Sequence, residues 1–337
     1  MKVWLPAIKG GSGADVFTRR LAMALPRHGI IVEIGWFPTY FQFAPFLLSS
    51  LSPPSGTNLI HGLSWSGFAF KEQHIPLVIT EQLDVLDPSY RPYKSLAQHI
   101  YHQTLIRAFM KASFKTASSV TAVSRSTAAS LARIVPDRSI RVIHNFVDTR
   151  TFHPAAITNR RDQRFRLLFV GNLTRRKGAD LLAPIMQKLG DRFALYYTSG
   201  LRSLKLKNLT RNMISLGTLK TDSELIAAYN DCDALLFPSR LEGLPFAPLE
   251  AMSCGKAVIA SCVSSMPEVV EDGVTGILCE PNNVDEFVSA CQKLADSPET
   301  LHEYGEAARQ RVETLFSEDT VIQQYISLYE KLVDNKM

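Results

Sequence analysis

The feature that most constrains this chain is an alternation of short apolar runs with stretches of helical period, sustained through both halves of the sequence. Parallel strands cannot be joined by tight turns and need a crossover, usually a helix, so the alternation predicts parallel sheets with helices on both faces. In the first half MKVWLPAI, GIIVEIGWF, NLIHGL, PLVIT, SVTAVS and RVIHN read as strands, and GGSGAD opens a helix that ends near Pro26. Residues 148–163 carry Pro154, charges and few apolar side chains, the composition of a linker. A second sheet restarts at Arg166 with RLLFVG, FALYYTSG, MISLGTL, ALLFPS and KAVIAS, and a helix is expected over 222–230. The fold class expected is α/β, with two Rossmann-like domains at 1–150 and 151–315. A terminal amphipathic helix follows over 317–332, where Val321, Tyr325, Leu328, Tyr329 and Leu332 share one face. The length of 337 residues accommodates two cores of ordinary size.

Composition narrows the class. Hydrophobic residues at 46% and charged residues at 20% exclude a disordered or fibrous chain. The five cysteines, Cys232, Cys254, Cys262, Cys279 and Cys291, form no CxxC pair and read as buried, reduced thiols of a cytoplasmic protein. No apolar run reaches the length of a membrane span, so any membrane contact is expected to be peripheral, at the inner face. Residues 1–150 hold 16 Lys and Arg against 8 Asp and Glu, the remainder 21 against 24, so the excess of positive charge lies in the first half. Such a half suits an anionic acceptor or an anionic membrane surface; no module signature points to nucleic acid.

The most informative stretch is PSRLEGLPFAPLEAMSCGKAVIAS, residues 238–261. It reads as strand, tight loop, short helix, strand, with Pro248 in the first helical turn and Gly255 just past the helix end. Backbone N–H groups of Phe246 and Ala247 at a helix start favour an anion such as phosphate. Glu250 is expected in that first turn; a capping box would need Ser or Thr at position 247, which is Ala, so a carboxylate accepting ribose hydroxyls is the stronger reading. Glu242 lies where open α/β sheets bind ligands, at the carboxyl end of a strand, although solvated loop acids are equally common there. In FVGNLTRRKGADLL, residues 169–182, Arg175, Arg176 and Lys177 crowd a helix N-terminus, where cations are disfavoured unless an anion sits among them. A diphosphate resolves that conflict.

Together these stretches resemble the retaining glycosyltransferases of family 4, whose signature is two glutamates eight positions apart around a glycine-containing loop. Glu242 and Glu250 have that spacing. GNLTRRKG, LGTLKTDSELIAAYNDCDALLFPSRLEGLPFAPLEAM, GKAVIAS and MPEVVEDGVTGILCEP extend the likeness over most of the chain. The resemblance implies a GT-B fold, two Rossmann-like domains facing a cleft, with segment 316–337 crossing back onto the first domain. It implies catalytic roles for Lys177 at the donor diphosphate and Glu242 at the sugar, with Glu250 on the ribose. Arg176 beside Lys177, together with Asn172, where the family usually has Arg, would complete the diphosphate contacts. Main-chain groups of Gly243, Leu244, Phe246 and Ala247 would serve sugar and phosphate, Pro245 having no N–H to offer. Gly217 and Leu219 would contribute main chain to the base. Ser12 and Gly13, matching the family's glycine loop, would close over the donor phosphate; an ordinary strand-to-helix turn fits them too. Where the family often has His after the strand PLVIT, this chain has Glu81 and Gln82; Gln82 and His61 are candidate sugar contacts.

The activity implied is metal-independent, retaining transfer from a UDP- or GDP-sugar to a hydroxyl of a glycan or lipid-linked acceptor, with no cofactor. No HxH or close carboxylate pair beyond Asp231 and Asp233 suggests a metal site in the sequence. A sugar phosphorylase, a nucleotide-sugar epimerase and a non-catalytic sugar-nucleotide binder are the alternatives. The aromatic segment WFPTYFQFAPFLL, residues 36–48, and the Arg107, Lys111, Lys115 row with Phe109 and Phe114 raise a basic, apolar acceptor surface, against core packing and a solvated face.

Overall fold

The computed structural model describes residues 1–155, 163–200 and 209–335. The chain divides into two compact units, Met1–Asn145 with Glu318–Met337, and Phe146–Ser317. The first division falls earlier than position 150 because Phe146, Val147 and Phe152 are buried, and the Val147 N–H donates to the Phe316 carbonyl at 3.0 Å. Phe152, within the stretch expected to be a linker, is thus buried in the second unit; positions 156–162 of that stretch lie outside the described residues.

The first unit holds six strands, β1 (Lys2–Ile8), β2 (Ile31–Phe37), β3 (Leu59–Leu63), β4 (Leu77–Glu81), β5 (Ser119–Ala122) and β6 (Ile140–Val142). Their order is β2-β1-β3-β4-β5-β6 and every pair is parallel. From β1 the chain steps to one side for β2 and to the other for β3, which opens a crevice at the carboxyl ends of β1 and β3. The helix Gly13–Ala24 leaves that end of β1. Central strands are buried on both faces, as in Leu59, Ile60, Val78 and Ile79, which is why they read as unbroken apolar runs.

The second unit repeats the plan with β7 (Phe165–Phe169), β8 (Phe193–Thr198), β9 (Met213–Gly217), β10 (Ala234–Phe237), β11 (Ala257–Ser261) and β12 (Gly276–Cys279), ordered β12-β11-β10-β7-β8-β9 and all parallel. Its order reverses between β7 and β10. The strand β12 was not among the expected elements: GILC is four residues long and led by glycine, too short for a periodic signal.

The helix Glu318–Asp334 belongs to the first unit, burying Val321, Ile322, Tyr325, Leu328 and Tyr329. It is anchored by His61, whose Nδ1 lies 2.6 Å from the Tyr329 hydroxyl and whose Nε2 lies 2.6 Å from Thr80 Oγ1. This corrects the expectation of a sugar contact at His61: the ring is 3% exposed, and both nitrogens are committed to protein partners. Burial pushes its pKa down to about 3, so the imidazole is neutral in the fold. The unfolded chain binds a proton there that the folded one does not, so this site's contribution is complete above the ordinary value of 6.5 and falls as pH drops from there toward 3. Replacing Tyr329 by Phe leaves His61 Nδ1 buried without its partner, and chemical denaturation should show a loss of about 1–3 kcal/mol. Unchanged stability would mean that the helix is not held through this bond.

All five cysteines are free; Cys262 is exposed, which corrects the expectation that every thiol is buried. Among the described residues no helix is long and apolar enough to cross a membrane.

Candidate active site

The second unit gathers the polar loops at the carboxyl ends of β7 and β10, the point where its strand order reverses and where open α/β sheets bind ligands. After β7 the chain runs through Gly171 and Asn172 to a tight turn at 174–178, then enters the helix Ala179–Leu189. Gly178 caps that helix in the left-handed conformation, with φ of 72°, because a Cβ there would lie 2.0 Å from the Pro238 carbonyl oxygen. The loop after β7 therefore packs directly on the loop after β10. The Arg240 N–H donates to the Arg176 carbonyl at 2.8 Å, and the Arg240 side chain grips the Arg175 carbonyl and both Asp180 oxygens. The Arg240 Nε donates to Asn282 Oδ1 at 2.6 Å, tying in the loop after β12.

Clamped in this way, Lys177 Nζ sits 2.6 Å from Glu242 Oε1, and Arg176 NH1 sits 3.2 Å from the same oxygen. Ser239 Oγ also donates to Oε1, while the Glu242 N–H donates to Ser264 Oγ at 2.9 Å. These side-chain contacts converge on Oε1. The carboxylate is 6% exposed. Burial pushes its pKa up, but Lys177 and Arg176 outweigh burial and hold it below its ordinary value. Lys177 is pushed down by burial, with Glu242 opposing and Arg176 adding to the effect. One carboxylate shared by two cations is the favoured charge of the trio, so Glu242 is ionised and the cations carry an excess positive charge. The Lys177 ammonium also lies 4.9 Å from the centre of the Phe237 ring.

Beyond Glu242 the chain passes Gly243 and Leu244 to the helix Phe246–Ser253, with Pro245 as its N-cap. Phe246 and Ala247 regain partial exposure at its first turn, where main-chain N–H groups lack intrahelical partners. Pro248 lies in that first turn, and Gly255 follows the helix end with φ of 70°. Glu250, however, falls in the second turn, which corrects its expected place in the first. Dipole stabilisation fades beyond the first turn, so the structural explanation for a carboxylate here is weaker than the sequence suggests. Tyr229 donates to Glu250 Oε2 at 2.6 Å and fixes its rotamer.

The remaining sequence-derived residues are placed as follows. Asn172 packs its amide against Gly200, where a Cβ would meet Oδ1 at 1.8 Å. Gly217, with φ of 67°, ends β9, and its carbonyl accepts from the Ser199 N–H at 2.7 Å; Leu219 follows, half-buried. Asp233 and Asp231 are structural, pairing with the Arg166 main-chain N–H at 2.8 Å and its guanidinium at 2.6 Å. In the first unit Ser12 and Gly13 are exposed at the start of the Gly13–Ala24 helix. The Gly10 and Gly11 N–H groups donate to Asp15 at 2.9–3.1 Å, so that loop's anion-binding amides are partly filled by its own carboxylate. Gln82 Oε1 accepts from Asn145 at 3.1 Å, and its Nε2 is buried without a partner.

Glu81, noted in the sequence only as a departure, is a buried carboxyl at the end of β4, pushed up to about 8 chiefly by burial, with its Oε2 unpartnered. A neutral carboxyl there can donate a hydrogen bond as well as accept one. Also missed were Ser239, Ser264 and the Arg240–Asp180 clamp; an Arg two residues before Glu242 and an Asp three after Lys177 are the signals that suggest it.

Models of two families match the chain in tandem: Glycosyltransferase Family 4 over residues 11–151, and glycosyl transferases group 1 over residues 154–311. An alpha-maltose-1-phosphate synthase from Mycobacterium tuberculosis is 28% identical, covering 97% of this chain and 97% of that protein. An N-acetyl-alpha-D-glucosaminyl L-malate synthase from Bacillus anthracis is 26% identical, covering 64% and 61%. Among solved structures, sucrose-phosphate synthase from Thermosynechococcus elongatus superposes with a TM-score of 0.83 at 20% identity, covering 99% of each chain. Anabaena HepE in complex with UDP-glucose superposes with a TM-score of 0.77 at 19% identity, covering 98% of this chain and 100% of that one. The two parallel sheets and these likenesses define a GT-B fold, and the protein is a glycosyltransferase. The chain belongs to glycosyltransferase family 4, carrying the group 1 glycosyl transferase region in its second half.

Proposed function

We propose that the enzyme transfers a sugar from a UDP- or GDP-linked donor to a hydroxyl of a glycan or lipid-linked acceptor, with retention of configuration and without a metal ion. The observation that carries this reading is the trio of Lys177, Arg176 and Glu242 at the reversal point of the second sheet. Two cations and a helix start at Phe246 suit a diphosphate, whose negative charge grows as the sugar bond breaks. In this reading the diphosphate draws Lys177 and Arg176, and Glu242 turns a carboxylate oxygen to a sugar hydroxyl. Glu250, held by Tyr229, takes the ribose hydroxyls; the main chain at Gly217 and Leu219 meets the base.

Retention follows if the acceptor oxygen bonds to the anomeric carbon on the face from which the phosphate departs. The acceptor's proton passes to the departing phosphate oxygen, so the step needs no protein base. Lys177 and Arg176 do the neutralising that a divalent ion does elsewhere. A thermal-shift series of UDP- and GDP-sugars, beginning with UDP-glucose, tests the reading. At a hundredfold excess over Kd the preferred donor adds about 2.7 kcal/mol of stability, and acceptor-dependent nucleotide release should persist in EDTA. Silence to every nucleotide sugar would refute donor binding, and loss of turnover in EDTA would refute metal independence.

A further inference from the structure

The helical stretch 96–116 runs through Leu96–Tyr101, a π turn at His102–Ile106 and Arg107–Thr116 without a break. Its inner face buries His102, Ile106, Met110 and Phe114 in the core of the first unit. The outer face of a surface helix is ordinarily polar, yet here it opens with Leu96 at 65% exposure and Ile100 at 53%. Farther along, the exposed positions become Arg107, Lys111 and Lys115. Beside it lies the 39–48 segment, tied on by the Tyr101 hydroxyl donating to the Gln42 carbonyl at 2.9 Å and by the Phe43 and Tyr101 rings 5.4 Å apart.

That segment divides its aromatic and aliphatic side chains in two. Phe41 and Leu48 pack into the core, and so do Phe37 at the end of β2 and Phe109 and Phe114 of the helix, as the core-packing reading expects. Tyr40, Phe43, Phe46 and Leu47, at 55–65% exposure, face solvent. Of the thirteen strongly exposed large apolar side chains among the described residues, eight fall in residues 40–51 and 96–105, a concentration that scattered surface residues do not produce. The charge around them has one sign. No Asp or Glu occurs between Glu33 and Glu72 or between Asp87 and Asp137, and the second interval holds seven Lys and Arg.

We infer that this face of the first unit docks on an anionic lipid bilayer, with the aromatic and leucine side chains entering the acyl boundary and Arg107, Lys111 and Lys115 at the headgroups. Two copies of the chain meeting through the patch would oppose cation to cation, whereas an anionic bilayer matches both the apolar and the basic part. This inference does not depend on the donor chemistry of the second unit.

Co-sedimentation with sucrose-loaded vesicles of phosphatidylcholine, or of an equimolar mixture with phosphatidylglycerol, tests it. The protein should pellet with the anionic vesicles and far less with the neutral ones. Lys111→Ala/Lys115→Ala should weaken partition about 25-fold, at about fivefold per cation. Phe43→Asp/Leu47→Asp, placed on exposed positions and checked for an unchanged circular dichroism spectrum, should abolish pelleting. Wild-type protein left in the supernatant with anionic vesicles would overturn the inference, as would binding that neither double variant weakens. A lipid-free dimer dissociated by Phe43→Asp/Leu47→Asp would assign the face to self-association instead.

Discussion

Lys177→Ala is expected to lower kcat by about 10² to 10³, the usual cost of removing one preorganised electrostatic partner of the leaving group. Removing this lysine does two things, and they have to be told apart. Glu242 loses the nearer of its two cations, at 2.6 Å, and keeps only Arg176 at 3.2 Å, so part of a buried ion pair is broken. Breaking such a pair from one side costs as much as about 3–5 kcal/mol of stability, and the retained Arg176 should hold the loss below that. The double variant Lys177→Met/Glu242→Gln removes both charges of the pair and should recover most of the thermal stability. If Lys177 acts on the diphosphate, turnover stays low in both variants, with weakened nucleotide affinity. If its part is only to hold the fold, Lys177→Ala keeps near-wild-type turnover and nucleotide affinity below its unfolding range; the double variant, which lacks the Glu242 carboxylate as well, reads stability alone. Single-turnover rates measured below each variant's unfolding range decide between the two, and full turnover in Lys177→Ala would remove the lysine from the mechanism.

The legibility of this site in the sequence follows the range of the interactions involved. The strands were readable because both sheets are parallel and buried on each face, so β7 and β10 carry the unbroken apolar runs LLF and ALLF. Lys177 and Glu242 could each be singled out locally, one by an unfavourable cluster of cations before a helix and the other by its place after a strand. Their pairing could not, because it joins loops 65 residues apart and depends on the Arg240 clamp and on the close approach of Gly178 to Pro238. His61 shows the opposite failure. A histidine at a strand end looks available to a ligand until the terminal helix, 268 residues away, brings Tyr329 to its ring. The second-turn position of Glu250 was missed for a smaller reason: with Pro245 rather than Ser or Thr at the N-cap, nothing local marks where the helix begins.

The approach of Gly178 to Pro238 gives the second large effect. In Gly178→Ala the new Cβ falls 2.0 Å from the Pro238 carbonyl oxygen and 2.7 Å from its carbon, at a φ of 72° that side chains avoid. The left-handed conformation alone costs about 1–2 kcal/mol. Contact with a backbone carbonyl adds to it, because Pro238 directly continues β10 and the following residues are fastened to the Arg175 and Arg176 carbonyls. The turn carrying Lys177 has to yield instead, so stability and activity should fall together. The expected loss is about 3 kcal/mol or more, seen as a fall in Tm of roughly 6–12 °C. Gly29→Ala isolates the backbone part: its φ of 77° and ψ of 13° are close to the 72° and 20° of Gly178, but nothing lies within 4 Å of the added carbon. That variant should show the backbone strain alone and keep wild-type turnover. If Gly178→Ala loses no more stability than Gly29→Ala, the contact is soft, and the two loops are not what fixes Lys177 against Glu242.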